Sequence, residues 1–173
     1  MIKLVKTYAE SYHAKHLEMH DPKGLLICPV DSIPLSWYVN YNNFWWMHFV
    51  KNATTKATLY NPETNVGFVS IDLEYYSVPT FNFIQFLRFN DQHKIDLVRT
   101  YWNFGWAMEL TKTNPIMKAV QIGDVLWMRK DIDLETKEQL TRDYWTDDVI
   151  KEVLNFDPNL KHLVDTFKHL YRI

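Results

Sequence analysis

Three histidines, His13, His16 and His20, are spaced to fall on one side of a helix, within an arc of roughly 60°. His16 and His20, four residues apart, have the spacing to chelate one zinc ion. His13 and His20 would lie about 10 Å apart along the helix axis, too far for one metal to take all three. Asp21, Cys28 and His48 follow at no recognisable ligand spacing, so half of any metal signature is missing. The expectation is a polar helix face that carries imidazoles and no metal. His162 and His169, two turns apart, read as surface residues. Cys28 is the only cysteine; it follows three aliphatic residues and precedes Pro29, and nothing beside it would activate a thiolate. It reads as a small buried hydrophobe. Asp72 and Glu74 share a strand face, whereas Asp131 with Asp133 and Asp147 with Asp148 sit at helix starts, where negative charge is favourable on structural grounds. No Gly-x-Ser-x-Gly element exists, so a nucleophile elbow is absent.

The most distinctive tract is aromatic: Tyr38, Tyr41, Phe44, Trp45, Trp46 and Phe49, with His48 and three asparagines interleaved. Tyr, Trp and Phe are enriched at binding hot spots. Tyr41, Phe44, Trp45, Trp46 and His48 are therefore the candidate binding residues, although core packing explains the same side chains. Seven tryptophans exceed what one core of this size uses, so some are expected to face a partner or a pocket. Glycine, by contrast, is scarce: four in 173 residues, against 27 aromatics. Phosphate-gripping loops need glycine where the backbone closes on the ligand, so no nucleotide or coenzyme cofactor is expected.

Length and composition suit one domain over 1–173, with an α/β core over 1–130 and a helical C-terminal extension over 131–173. The net charge of −2 gives no bulk attraction for nucleic acid or an anionic membrane. No apolar run approaches the ~18 residues needed to cross a bilayer, and the N-terminus has no signal-peptide core. A cytoplasmic protein is expected, or a particle-associated one if viral. Twelve asparagines, six alanines and an excess of Lys over Arg suggest an A/T-rich genome of the kind found in low-GC bacteria and their phages.

Periodicity supplies the elements. Residues 2–8 alternate well enough for a first strand, 9–20 read as a short helix, and Lys23–Pro34 as a loop or irregular strand. Trp37–Lys51 is ambiguous between a helix and a strand pair. Ala57–Tyr60 and Val66–Tyr76 read as a hairpin around Asn61–Asn65, followed by a central strand over Thr80–Phe89 that is apolar on both faces. Ile95, Val98, Trp102, Trp106 and Leu110 form a helical stripe, which predicts a long buried helix over Asp91–Thr113, ended by Asn114-Pro115. Ile116–Met128 reads as strands turning near Gly123-Asp124, and three helices open at Asp133, Thr146 and Asp157-Pro158. The fold class is α+β: a mostly antiparallel sheet, a long buried helix and a helical tail.

The element order over residues 56–121 resembles GNAT-type N-acyltransferases, in which a hairpin leads to a central strand, a pyrophosphate-binding helix and a further strand. Where that family has Gln/Arg-x-x-Gly-x-Gly/Ala, this chain has Arg88-Phe89-Asn90-Asp91-Gln92-His93, with Asp91 and His93 at the small-residue positions. The resemblance implies an acyl-coenzyme A site that is altered or lost, and transfers no catalytic residue. Two functions remain open: a non-enzymatic, phage-type accessory protein that engages a protein partner through the aromatic tract, or a divergent acyl-coenzyme A-dependent N-acyltransferase. Self-association is compatible with either.

Overall fold

One curved six-stranded sheet organises the chain. In the computed structural model, residues 1–10, 16–28 and 32–172 are described, with the side chains of residues 16 and 17 outside the description. The strands are β1 (His20–Ile27), β2 (Ser32–Pro34), β3 (Val50–Asn61), β4 (Val66–Tyr75), β5 (Phe81–Phe89) and β6 (Ile95–Tyr101). They run in the order β2-β1-β6-β5-β4-β3, all neighbours antiparallel except β1 and β6. Register shifts at Val50/Asn52 and Thr55/Ala57 insert extra residues into β3, and such bulges bend and twist a strand. β4 alternates buried and half-buried residues along its whole length, so one face of the sheet is covered and the other meets solvent. Leu59, Phe86 and Tyr101 stand partly exposed on the second face. β5 is thus central in order, as expected, but covered on one side only.

The covering helices correct several sequence expectations. Residues 2–8 belong to helix α1 (Ile2–Glu10), whose buried Val5, Tyr8 and Ala9 follow i, i+3, i+4 spacing rather than strand alternation. Val5 packs where Gly67 of β4 has no side chain; a Cβ there would lie 2.6 Å from Val5 Cγ2. A short helix, α2 (His16–Met19), precedes β1. Trp37–Lys51 resolves into helix α3 (Leu35–Phe44), a 3₁₀ turn (Trp46–Phe49) and the start of β3.

The predicted long helix over 91–113 is instead β6 followed by α4 (Phe104–Leu110). The misleading feature is a bulge: Phe89 pairs with Ile95 and Arg88 with Leu97, so Asp96 is an extra residue. The insertion turns Ile95 and Val98 to the same buried side, imitating a helical i, i+3 pair. The predicted strands over 116–128 are a single helix, α5 (Pro115–Met128). Asn114, read as a terminator, is its N-cap: the side chain accepts from the backbone N–H of Ile116 at 2.9 Å and of Met117 at 3.1 Å.

The C-terminal expectation holds. Asp133 caps α6 (Leu134–Asp143) and Thr146 caps α7 (Asp147–Phe156). Asp157-Pro158 opens a 3₁₀ turn leading into α8 (Lys161–Tyr171). No helix among the described residues is long and apolar enough to cross a membrane.

Candidate functional site: an aromatic cavity with one carboxyl

A cavity of about 200 Å³ lies between the covered face of the sheet and helices α3 and α5. α3 contributes Tyr38, Tyr41 and Asn42, at i, i+3, i+4. α5 contributes Val120, Gln121, Asp124, Val125 and Met128, again one helix face. Phe81 and Phe83 of β5, Thr100 of β6, and Trp46, Tyr75 and Cys28 complete much of the wall, with Trp102 just after β6 and Phe104 at the start of α4. Val125, 68% exposed, marks the mouth. No Lys, Arg or His lines the cavity among the described residues.

Asp124 is the charged group in this wall. The Tyr41 hydroxyl donates to its Oδ1, and Gln121 Nε2 donates to Oδ2 at 3.0 Å. Both bonds favour the carboxylate, yet burial among apolar and aromatic groups outweighs them and raises the carboxyl to a pKa of about 7. By area the residue is half-buried, and it lines the cavity. The same burial, reinforced by the nearby carboxylate, pushes the Tyr41 and Tyr75 hydroxyls well above their usual range.

A second polar group closes the floor. Gln85 of β5 is fully buried; Tyr8 donates to its Oε1 at 2.8 Å, and its Nε2 donates to Thr100 Oγ1 at 2.9 Å and Tyr38 Oη at 3.2 Å. This network ties α1, α3, β5 and β6 together directly behind the cavity.

α5 is fixed at both ends, which sets the position of Asp124. At its start, Asn114 Nδ2 donates to the Ser77 carbonyl at 2.7 Å. At its end, Lys137 of α6, with no exposed surface, donates to the carbonyls of Trp127 (3.0 Å) and Arg129 and sits 3.8 Å over the Trp37 ring. Midway, Gly123 lets the Trp45 indole lie on the helix backbone: a Cβ there would fall 2.2 Å from Trp45 Nε1.

The five candidate binding residues separate. Tyr41 and Trp46 line the cavity. Trp45 is 0% exposed, stacks on Phe167 and Tyr171 of α8, and meets Trp145 between α6 and α7. Half-buried Phe44 lies beside Tyr171, whose hydroxyl donates to the Phe44 carbonyl at 2.6 Å. His48, also half-buried, sets its ring edge-on to Phe167, and burial lowers its pKa. Much of the tryptophan surplus thus joins the C-terminal helices to the core.

Other candidates stand apart. His13 lies outside the described residues, as does the side chain of His16; His20 is buried against Tyr8. No group of three potential metal ligands occurs among the described residues. Asp72 and Glu74 pair with Lys56 and Lys51 on the open sheet face. The Asn90–His93 segment is a hairpin turn. Asn90 Oδ1 accepts from the N–H groups of Gln92 (3.0 Å) and Lys94 (2.9 Å), and His93 takes the left-handed region at φ 60°. Those amides are therefore engaged within the turn. Sequence reading missed Asp124 because it placed the residue in a turn; on a helix, Gln121 and Asp124 form a polar pair on an otherwise apolar face.

No family model and no curated protein matches the sequence. Among solved structures, the chain is similar to a de novo designed protein with a curved β-sheet, at TM-score 0.50 and 12% identity, over 61% of this chain and 87% of that one. Weaker likenesses include the de novo designed NTF2 fold protein NT-9 (TM-score 0.47, 12% identity, 64% and 89% covered). Another is an NTF2-like protein from Burkholderia xenovorans LB400 (TM-score 0.45, 10% identity, 62% and 91% covered). The curved-sheet likeness and the β5–β6 hairpin together overturn the GNAT-type resemblance: the helix meant to hold pyrophosphate is a strand.

Proposed function

We propose that this protein binds a small, neutral, mainly apolar molecule in the cavity and that Asp124 exchanges a proton with it or holds its polar end. The observation that carries this reading is a carboxyl, the lone one there among the described residues, set in a wall of aromatic and aliphatic side chains, where burial raises its pKa to about 7. Concave apolar sites with a few convergent polar groups and a perturbed carboxyl are the usual form of a small-molecule site. A cavity of about 150 Å³ lined by apolar groups is enough to hold benzene, so one or two rings set the size class here. An anionic ligand would meet no counter-charge among the described residues and would add to the charge of Asp124. With both protonation states populated near neutrality, Asp124 is placed to act as a general base or acid. In this reading Tyr41 and Trp46 serve the ligand, and the protein-partner role considered for the aromatic tract is set aside.

Trp46, Trp102 and Cys28 all line the cavity and supply the readouts. Toluene should produce a saturable change in tryptophan fluorescence and, over the same concentrations, slow alkylation of Cys28 by iodoacetamide. Absence of both effects up to the solubility of toluene would contradict the reading.

A further inference from the structure

Asn42 is 4% exposed and lines the cavity, yet its side-chain amide makes no hydrogen bond to any described residue. Its Oδ1 is shut off from solvent and has no donor. Nδ2 is absent from the buried, unpartnered atoms, so the accessible part of this amide is its N–H edge, presented at the cavity wall. A buried amide left unpaired is costly, and native structures rarely tolerate one without a reason. Four other polar side chains of the wall are already engaged. Tyr41 and Gln121 bond Asp124, and Tyr38 and Thr100 bond Gln85. Asn42 keeps its amide donors unspent among the described residues.

We propose that Asn42 selects the ligand by donating from Nδ2 to a neutral acceptor oxygen, such as a ketone or aldehyde carbonyl, carried on the apolar molecule. The inference rests on the ligand-binding reading of this cavity and adds the substrate class to it. Apolar walls supply affinity without discrimination, whereas a buried donor rejects an isostere that lacks the acceptor. Tyr38, at i−4 on α3, and Tyr41, beside it, hold the amide within an aromatic wall.

The test uses two probes of matched shape: acetophenone and α-methylstyrene, which differ by C=O against C=CH₂. The wild-type chain should bind the ketone about tenfold more tightly, the discrimination one hydrogen bond in a buried site supplies. Asn42→Leu should bind both alike, and its urea midpoint without ligand should equal or exceed that of the wild type, because an unpaired amide has been removed. Should Asn42→Leu fail to fold, Asn42→Ala removes the donor without adding a titratable group, and should weaken the ketone while sparing the alkene. Equal affinities for the two probes in the wild type would overturn the role of Asn42 and leave the cavity reading intact. So would a preference that survives Asn42→Leu, or a fall in that variant's midpoint. Binding of neither probe would overturn both.

Discussion

Replacing Asp124 by Asn should make the protein more stable at high pH and leave it nearly unchanged at low pH. An unfolded aspartate titrates near 3.8, whereas in the folded chain the carboxyl titrates at about 7. Between those values the folded state binds the proton and the unfolded state does not, so stability falls as pH rises. The penalty is absent below about pH 4 and fully developed above about pH 7. Three pKa units correspond to about 4 kcal/mol at most. Because Asp124 is half-buried by area rather than enclosed, about 2 kcal/mol is the working figure. Urea unfolding followed by tryptophan fluorescence, from pH 4 to pH 8 on both chains, isolates the effect, since His48 and every other titrating group cancel in the difference. The variant's advantage should grow by about 2 kcal/mol across that range, read from midpoints at a common slope. A difference that stays flat, or that shrinks as pH rises, would refute the assignment of a near-neutral carboxyl.

Three further substitutions test the frame around the site. Gly123→Ala, which in an ordinary helix interior would add about 1 kcal/mol, should instead destabilise by about 1–3 kcal/mol because the new methyl enters the Trp45 indole. Thermal unfolding gives the sign directly. Gln85→Leu removes the group that joins Tyr8, Tyr38 and Thr100, and should cost about 2 kcal/mol and lower ligand affinity as the floor loosens. Lys137→Met takes the donor from the last carbonyls of α5 and should lower the melting temperature by about 4–8 °C, for about 2 kcal/mol lost in a chain of this size.

The sequence makes the fold legible where local chemistry and tertiary pairing agree. The β3–β4 hairpin, β5 and the capped C-terminal helices all carry their own turn or cap residues, and each falls where Asn61–Asn65, Asp133, Thr146 and Asp157-Pro158 put it. Misreadings arise where one pattern serves two structures. The bulge at Asp96 gives β6 a helix-like spacing, and apolar residues cover so much of α5 that Lys118, Gln121 and Asp124 leave only a faint helix period. Asn114-Pro115 held the missing information, because an Asn before a Pro starts a helix as readily as it ends one. The site was half legible. Tyr41 and Trp46 stand out by type, but Asp124 becomes a candidate only once Ile116–Met128 is a helix. Asn42 becomes one only when its neighbours in space leave its amide unpaired. Both depend on contacts between α3, α5 and the sheet that local spacing does not encode.

Iodobenzene, whose iodine scatters anomalously, puts the cavity to the most direct test. Diffraction from crystals exposed to it should place the iodine between α3, α5 and the sheet, within contact of Trp46, Phe83 and Met128. A cavity without iodine, in crystals that hold it only at the surface, would contradict the assignment of this space as the ligand site.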